Sequence, residues 1–167
     1  FINIIITKDQ KISEFRQAWI HALREDISEY LGVVAQLSIS WELAQAKITD
    51  DDLHSSKINF VEENIKNIKI LHSLLTQITL KLNPIEHGAF ILLLNELDEL
   101  ISSPDTMSDS VRKTELNKDI TAATHDILGS EWKRVKNGEE SYISVKNNIS
   151  IGMFVMTVIS VGLLLIA

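Results

Sequence analysis

The 167-residue chain contains no cysteine. That excludes a disulfide framework, thiolate metal ligation and thiol redox chemistry, and it fits a reducing compartment. Proline occurs only twice and glycine six times. Few positions therefore force the backbone out of a helix, and with Leu, Ile, Glu, Lys, Asn and Ser plentiful the expected class is all-α. Basic charge is also scarce: 23 Asp and Glu against 16 Lys and Arg give a formal net charge of −7. A dedicated nucleic-acid binder would instead carry a basic face toward phosphate. The sequence holds no Gly-rich phosphate loop, Gly-x-Ser-x-Gly elbow or His-Glu-x-x-His run. Its five histidines, His21, His54, His72, His87 and His125, are scattered along the chain rather than paired at metal-ligand spacing. No metal, cofactor or small-molecule substrate is expected.

What the sequence does have is one long apolar run. From Ile149 to Ala167 no residue is charged, and about 17 to 25 apolar residues suffice to cross a bilayer. A C-terminal transmembrane helix is expected there, with Ile149, Gly152, Phe154, Val158, Gly162 and Leu165 among its span residues. Ser150, Gly152, Thr157, Ser160 and Gly162 offer small surfaces for close helix contacts without forming a Gly-x-x-x-Gly motif. The run Phe1 to Ile6 is too short to span by itself and, with no initiator Met, is expected to be the end of an upstream N-terminal span. Lys8, Lys11, Arg16 and Arg24 follow the first run, and Lys133, Arg134, Lys136 and Lys146 precede the last. The positive-inside rule then puts the intervening segment in the cytoplasm of a bacterial cell, tethered to the inner membrane. The expected organisation is 1–7 as the end of a span, 8–148 as a cytoplasmic helical domain and 149–167 as the C-terminal span.

Hydrophobic periodicity divides the middle into four helices. The first is expected from Lys8 or Lys11 to Ala46, with Phe15, Trp19, Leu23, Ile27, Tyr30, Val34, Leu37 and Trp41 on one stripe and Gly32 as a place for a kink or close contact. Thr49, Asp50, Asp51 and Asp52 form a polar break and helix start. In the second helix Ile58, Val61, Ile65, Ile68, His72, Leu75, Thr79 and Leu82 keep strict three-four spacing, with Phe60, Leu71, Leu74 and Ile78 on its flanks and His72 expected as a core histidine. Asn83 and Pro84 mark the start of a third helix, Pro84 taking its first position, with Phe90, Leu93, Leu94, Leu97, Leu100 and Ile101 buried. Ser102 to Asp105 ends it. The fourth is expected over Ser108 to Lys136, presenting Val111, Leu116, Ile120, Ala123, Ile127 and Val135, and Asn137-Gly138 closes it. Short links between four amphipathic helices favour an antiparallel bundle.

Chemistry is sparse. Arg16 and His21, separated by four residues, resemble the Arg-x4-6-His element of HEPN ribonucleases. That resemblance implies a catalytic His acting at an RNA 2′-hydroxyl beside a charge-stabilising Arg. The plainer reading has Arg16 beside lipid headgroups and His21 on a solvated face. Glu86 and His87 read as first-turn residues that complement the helix dipole or fold back on the loop. Asp50 to Asp52 and Glu139-Glu140 lack calcium-loop spacing and read as solvated charge runs.

Three segments together carry a broader resemblance: Phe15 to Ile20 with Ala22-Leu23-Arg24, Leu82-Asn83-Pro84 with Glu86-His87, and Glu131 to Glu139, which reads EWKRVKNGE. In this order they resemble small bacterial two-span helical membrane proteins, some encoded in prophages and anti-phage loci and including membrane effectors that accompany retrons. The resemblance implies an effector of abortive infection that perturbs the membrane after self-association, partnered by the lipid bilayer, by further copies of itself and by a regulatory protein or ribonucleoprotein. It carries no catalytic residue over. Trp19, Asn83, Pro84, His87 and Trp132 are its structural or regulatory candidates. The alternatives are a membrane-tethered HEPN-like RNase using Arg16 and His21, and a passive membrane scaffold or immunity protein.

Overall fold

The computed structural model describes residues 2–47, 53–137 and 149–156, side chains of 2–6, 9, 53 and 137 excepted. Five helices are named: α1 (Ile2–Gln45), α2 (Leu53–Lys81), α3 (Gly88–Ile101), α4 (Pro104–Met107) and α5 (Ser110–Asn137); residues 149–156 are helical as well. There is no strand among the described residues, in keeping with the all-α expectation. The polar break at 48–52, the Asn137-Gly138 close past its first residue, the link 138–148 with Glu139-Glu140, and the tail 157–167 lie outside them. So, therefore, do the span positions Val158, Gly162 and Leu165. No helix of the described residues is long and apolar enough to cross a membrane.

The chain forms two compact units, one from the described parts of Phe1–Ala18 and Gly129–Ala167, the other Trp19–Leu128. The larger unit has a continuous apolar interior. From α1 it takes Ile20, Leu23, Ile27, Tyr30, Val33, Val34, Leu37 and Trp41, from α2 Phe60, Leu71, Leu74 and Ile78, with Leu82 just past its end, and from α3 Phe90, Leu94, Leu97 and Ile101. Met107 of α4 and Leu116, Ile120 and Leu128 of α5 complete it. Helices α1 and α2 run in opposite directions: Trp41 meets Phe60 edge-on at 5.1 Å between centroids, and Trp19 reaches Lys81 at the other end. The buried Trp41 indole N–H is satisfied by the Ser108 hydroxyl at 3.1 Å, which also accepts from the Gln45 side chain at 2.8 Å. That pairing suits a large aromatic with one polar edge.

Several expectations need correction. Helix α1 starts at Ile2, before Lys8, since nothing between Ile2 and Lys11 breaks a helix. At Gly32 the helix is uninterrupted, and an added Cβ would meet nothing within 4 Å, so there is no close contact there. The buried column of α2 is Phe60, Asn64, Leu71, Leu74 and Ile78, whereas Ile58, Val61, Ile65 and His72 are exposed. The flank of the expected stripe is the core. Asn64 disguised it; buried at this helix–core boundary, its side-chain amide donates to the Phe60 carbonyl at 3.0 Å. Phe15 and Val111 are exposed, not buried. Pro84 does not open α3, because Asn83 closes a tight turn that delays the helix to Gly88. Between α3 and α5 the structure inserts α4, with Pro104 at its first turn and the Ser103 hydroxyl accepting from the Asp105 N–H.

Candidate functional site

Arg16 and His21 do not form a pair. Five positions apart is not a same-face spacing on a helix. Arg16 is engaged with Glu131 of α5, within the smaller unit, and Arg134 donates to the other oxygen of the same carboxylate. The Glu131 side chain is almost wholly buried, so two guanidinium groups serve one charge withdrawn from water. This gives Arg16 a structural role in holding α1 to α5. His21 lies exposed on α1.

Four of the remaining candidates converge, in the larger unit, on the turn between α2 and α3. The Asn83 side-chain oxygen accepts from the Ile85 N–H at 3.0 Å, the fold of an Asx turn. The Asn83 carbonyl accepts from the His87 N–H at 2.8 Å, and the Asn83 N–H donates to His87 Nδ1 at 3.1 Å. Pro84, inside this loop, fixes φ where the chain reverses. Over it lies Trp19, whose ring stacks on His87 at 6.5 Å and whose N–H donates to the Lys81 carbonyl at 2.9 Å. That carbonyl is one of the last of α2, which has no partner within its own helix. Lys81, near the negative end of α2, pairs with Asp26 of α1. Trp19, Asn83, Pro84 and His87 are thus parts of one helix-reversal clamp. Trp132 is in the other unit, with the Lys136 ammonium 5.9 Å from its ring centre.

Sequence reasoning missed a polar cluster inside the larger unit. Asp98 of α3 faces Tyr30 of α1 and His72 of α2. Its Oδ1 is buried with no hydrogen-bond partner, and the nearest cation-forming atom is His72 Nδ1 at 3.6 Å, beyond hydrogen-bond length. Burial raises the Asp98 carboxyl above the ordinary aspartate value; the neighbouring His72 opposes this and Glu99 adds to it. Tyr30 is fully buried, its hydroxyl donating to the Leu94 carbonyl at a long 3.5 Å. Burial first, and the Asp98 charge second, push its phenol upward. The signal lay in the spacing, because Asp98 is four residues after Leu94 and one after Leu97, on the rim of the buried stripe. The cluster offers a proton-dependent contact. Among the described residues no three His, Asp or Glu side chains converge as a metal site.

Of the expected span, Ile149, Gly152 and Phe154 fall on the described helix 149–156, where every residue is exposed and Phe154 reaches 70%. Comparison with protein-family models, with curated proteins and with solved structures finds no match to this chain.

Proposed function

We propose that the chain is a membrane-anchored effector or interaction module of the anti-phage, abortive-infection type. In this reading α1, α2, α3 and α5 form an antiparallel four-helix bundle on the cytoplasmic face of the bacterial inner membrane. The run 149–167 spans the bilayer, and self-association of several chains perturbs it. The observation that carries the reading is the helix 149–156, which turns Ile151, Met153, Phe154 and Met156 outward instead of into a core. A row of such side chains loses about 25 cal/mol per Å² of burial it could have had, so a nonpolar surrounding is the environment that suits it. The sequence that follows, to Ala167, is uncharged as well. The defence role is supported by the sequence resemblance in three segments.

The test is induced expression in a bacterial host, with growth and membrane-potential dye uptake followed at matched protein levels. Val158→Lys should suppress both effects, since a charge at mid-bilayer costs about 2.5–3.5 kcal/mol on insertion scales. His21→Ala should retain them. Full activity of Val158→Lys together with loss in His21→Ala would replace this reading with the tethered RNase. Normal growth and an intact potential on expressing the unaltered chain would leave the scaffold.

A further inference from the structure

We propose that the smaller unit carries a belt that reads lipid headgroups, in which Lys8, Lys11, Lys133 and Lys136, with Phe15 and Trp132, seat the protein on an anionic bilayer surface. This rests on the membrane reading above and adds to it a lipid preference and the residues that set it.

Charge is divided between the two units. The stretches 1–18 and 129–167 hold seven Lys and Arg against five Asp and Glu, while 19–128 holds nine against eighteen. A chain that is acidic overall therefore keeps its basic excess in the unit that also contains the exposed apolar helix 149–156. Within that unit Glu131 is buried and neutralised by Arg16 and Arg134. Both arginines are thus engaged with Glu131, although Arg134 stays half exposed, and the other cations are lysines, Lys11 in an exposed pair with Glu14; a hydrated ammonium on a flexible stem suits a mobile headgroup layer.

The geometry adds aromatics to the lysines. Lys8, Lys11 and Phe15 follow i, i+3, i+7 spacing on α1 and share one face, with Phe15 75% exposed. Trp132 and Lys136 follow i, i+4 on α5, with Trp132 41% exposed and the ammonium against its ring. The Arg16–Glu131 pair joins the two helices at the residues next in sequence to Phe15 and Trp132. Exposed aromatic side chains with lysines beside them are the composition of a membrane–water interface. Each lysine held near an anionic surface adds attraction that decays within a Debye length. An RNA partner fits less well, because the apolar helix of the same unit would be left in water.

The test uses the full-length chain purified in detergent and presented to phosphatidylcholine vesicles with or without phosphatidylglycerol. Flotation should favour the phosphatidylglycerol vesicles by about tenfold or more at low salt, and added salt should close the gap. Changing Lys8, Lys11, Lys133 and Lys136 together to Gln should abolish that preference yet leave flotation with phosphatidylcholine and the helical circular dichroism unchanged. A quencher attached to the lipid headgroup should dim tryptophan emission in the unaltered chain, and Trp132→Phe should remove that dimming. Equal flotation with both vesicle types, or a preference that survives the four Gln changes, overturns the belt while the anchor stands. Absence of flotation with any vesicle overturns the anchor and the belt together. Lysine-dependent binding of single-stranded RNA that vesicles do not displace would also overturn the proposal and assign the surface to nucleic acid.

Discussion

A carboxylate drawn partly out of water, with one oxygen left without a donor, holds its proton more tightly in the folded chain than in the unfolded one, and Asp98 is so placed. The sign follows by linkage. Stability from such a group is complete below the ordinary aspartate value of 3.8 and is lost as pH rises through the raised folded value. Asp98→Asn keeps the shape and removes the charge, so its stability, followed by urea denaturation from about pH 4 to about pH 7, should fall less with pH than that of the unaltered chain. A steeper fall would mean that the His72 contact outweighs burial. Arg16 gives the opposite case, a charge that is compensated. Breaking a buried pair outright costs about 3–5 kcal/mol, but Arg134 remains on Glu131 and Arg16 is one-fifth exposed. Arg16→Ala should therefore lose about 1–3 kcal/mol of unfolding free energy. The loss should largely vanish in an Arg16→Ala, Glu131→Gln background, which tests coupling through Glu131 and not through a remote change.

Among the elements, α2 shows best what the sequence conveyed and what it withheld. That residues 53–81 are one helix was legible, because apolar side chains recur at three and four over its whole length. Which face is inward was not. Two columns compete on this helix, and the one without an interruption, Ile58, Val61, Ile65 and Ile68, looks more regular than Phe60, Asn64, Leu71, Leu74 and Ile78. Burial chose the interrupted one, because Asn64 returns its amide to a carbonyl of its own helix and so enters the interior at small cost. The consequence is measurable. Phe60→Ala should destabilise by about 3–5 kcal/mol, whereas Ile65→Ala, at a half-exposed position, should stay within about 1 kcal/mol. Equal costs would restore the other column as the core. The clamp at the α2–α3 turn was legible in its residues but not in its meeting, since Asn83, Pro84 and His87 are local whereas Trp19 arrives from more than sixty positions away. The Asp98 cluster was hidden for the same reason: three helices supply one side chain each.

For the molecule as a whole, the uneven distribution of charge governs the response to salt. The unit Trp19–Leu128 carries eighteen Asp and Glu against nine Lys and Arg, so compacting it brings like charges together. Against this stand cross-helix pairs: Lys81 with Asp26, Arg112 with Glu96, Lys57 with Asp105 and Lys113 with Glu42 at 3.6 Å. Glu96 is nearly half exposed, Asp105 and Glu42 more than half. Exposed pairs of this kind contribute about 0.2–1 kcal/mol each and are screened along with the repulsion. The repulsion is shared by every surplus carboxylate and reaches over about 10 Å at moderate ionic strength, so it should be the larger sum. Sodium chloride raised from about 20 mM to about 500 mM should then lift the midpoint of the helical melting transition, by about 2–5 °C if the net gain approaches 1 kcal/mol. Circular dichroism of the detergent-held chain reads it directly. A midpoint that falls with salt would mean that the cross-helix pairs, few as they are, outweigh the acidic surplus. In that case Lys81→Met, which removes the most enclosed of these pairs, should abolish the salt dependence.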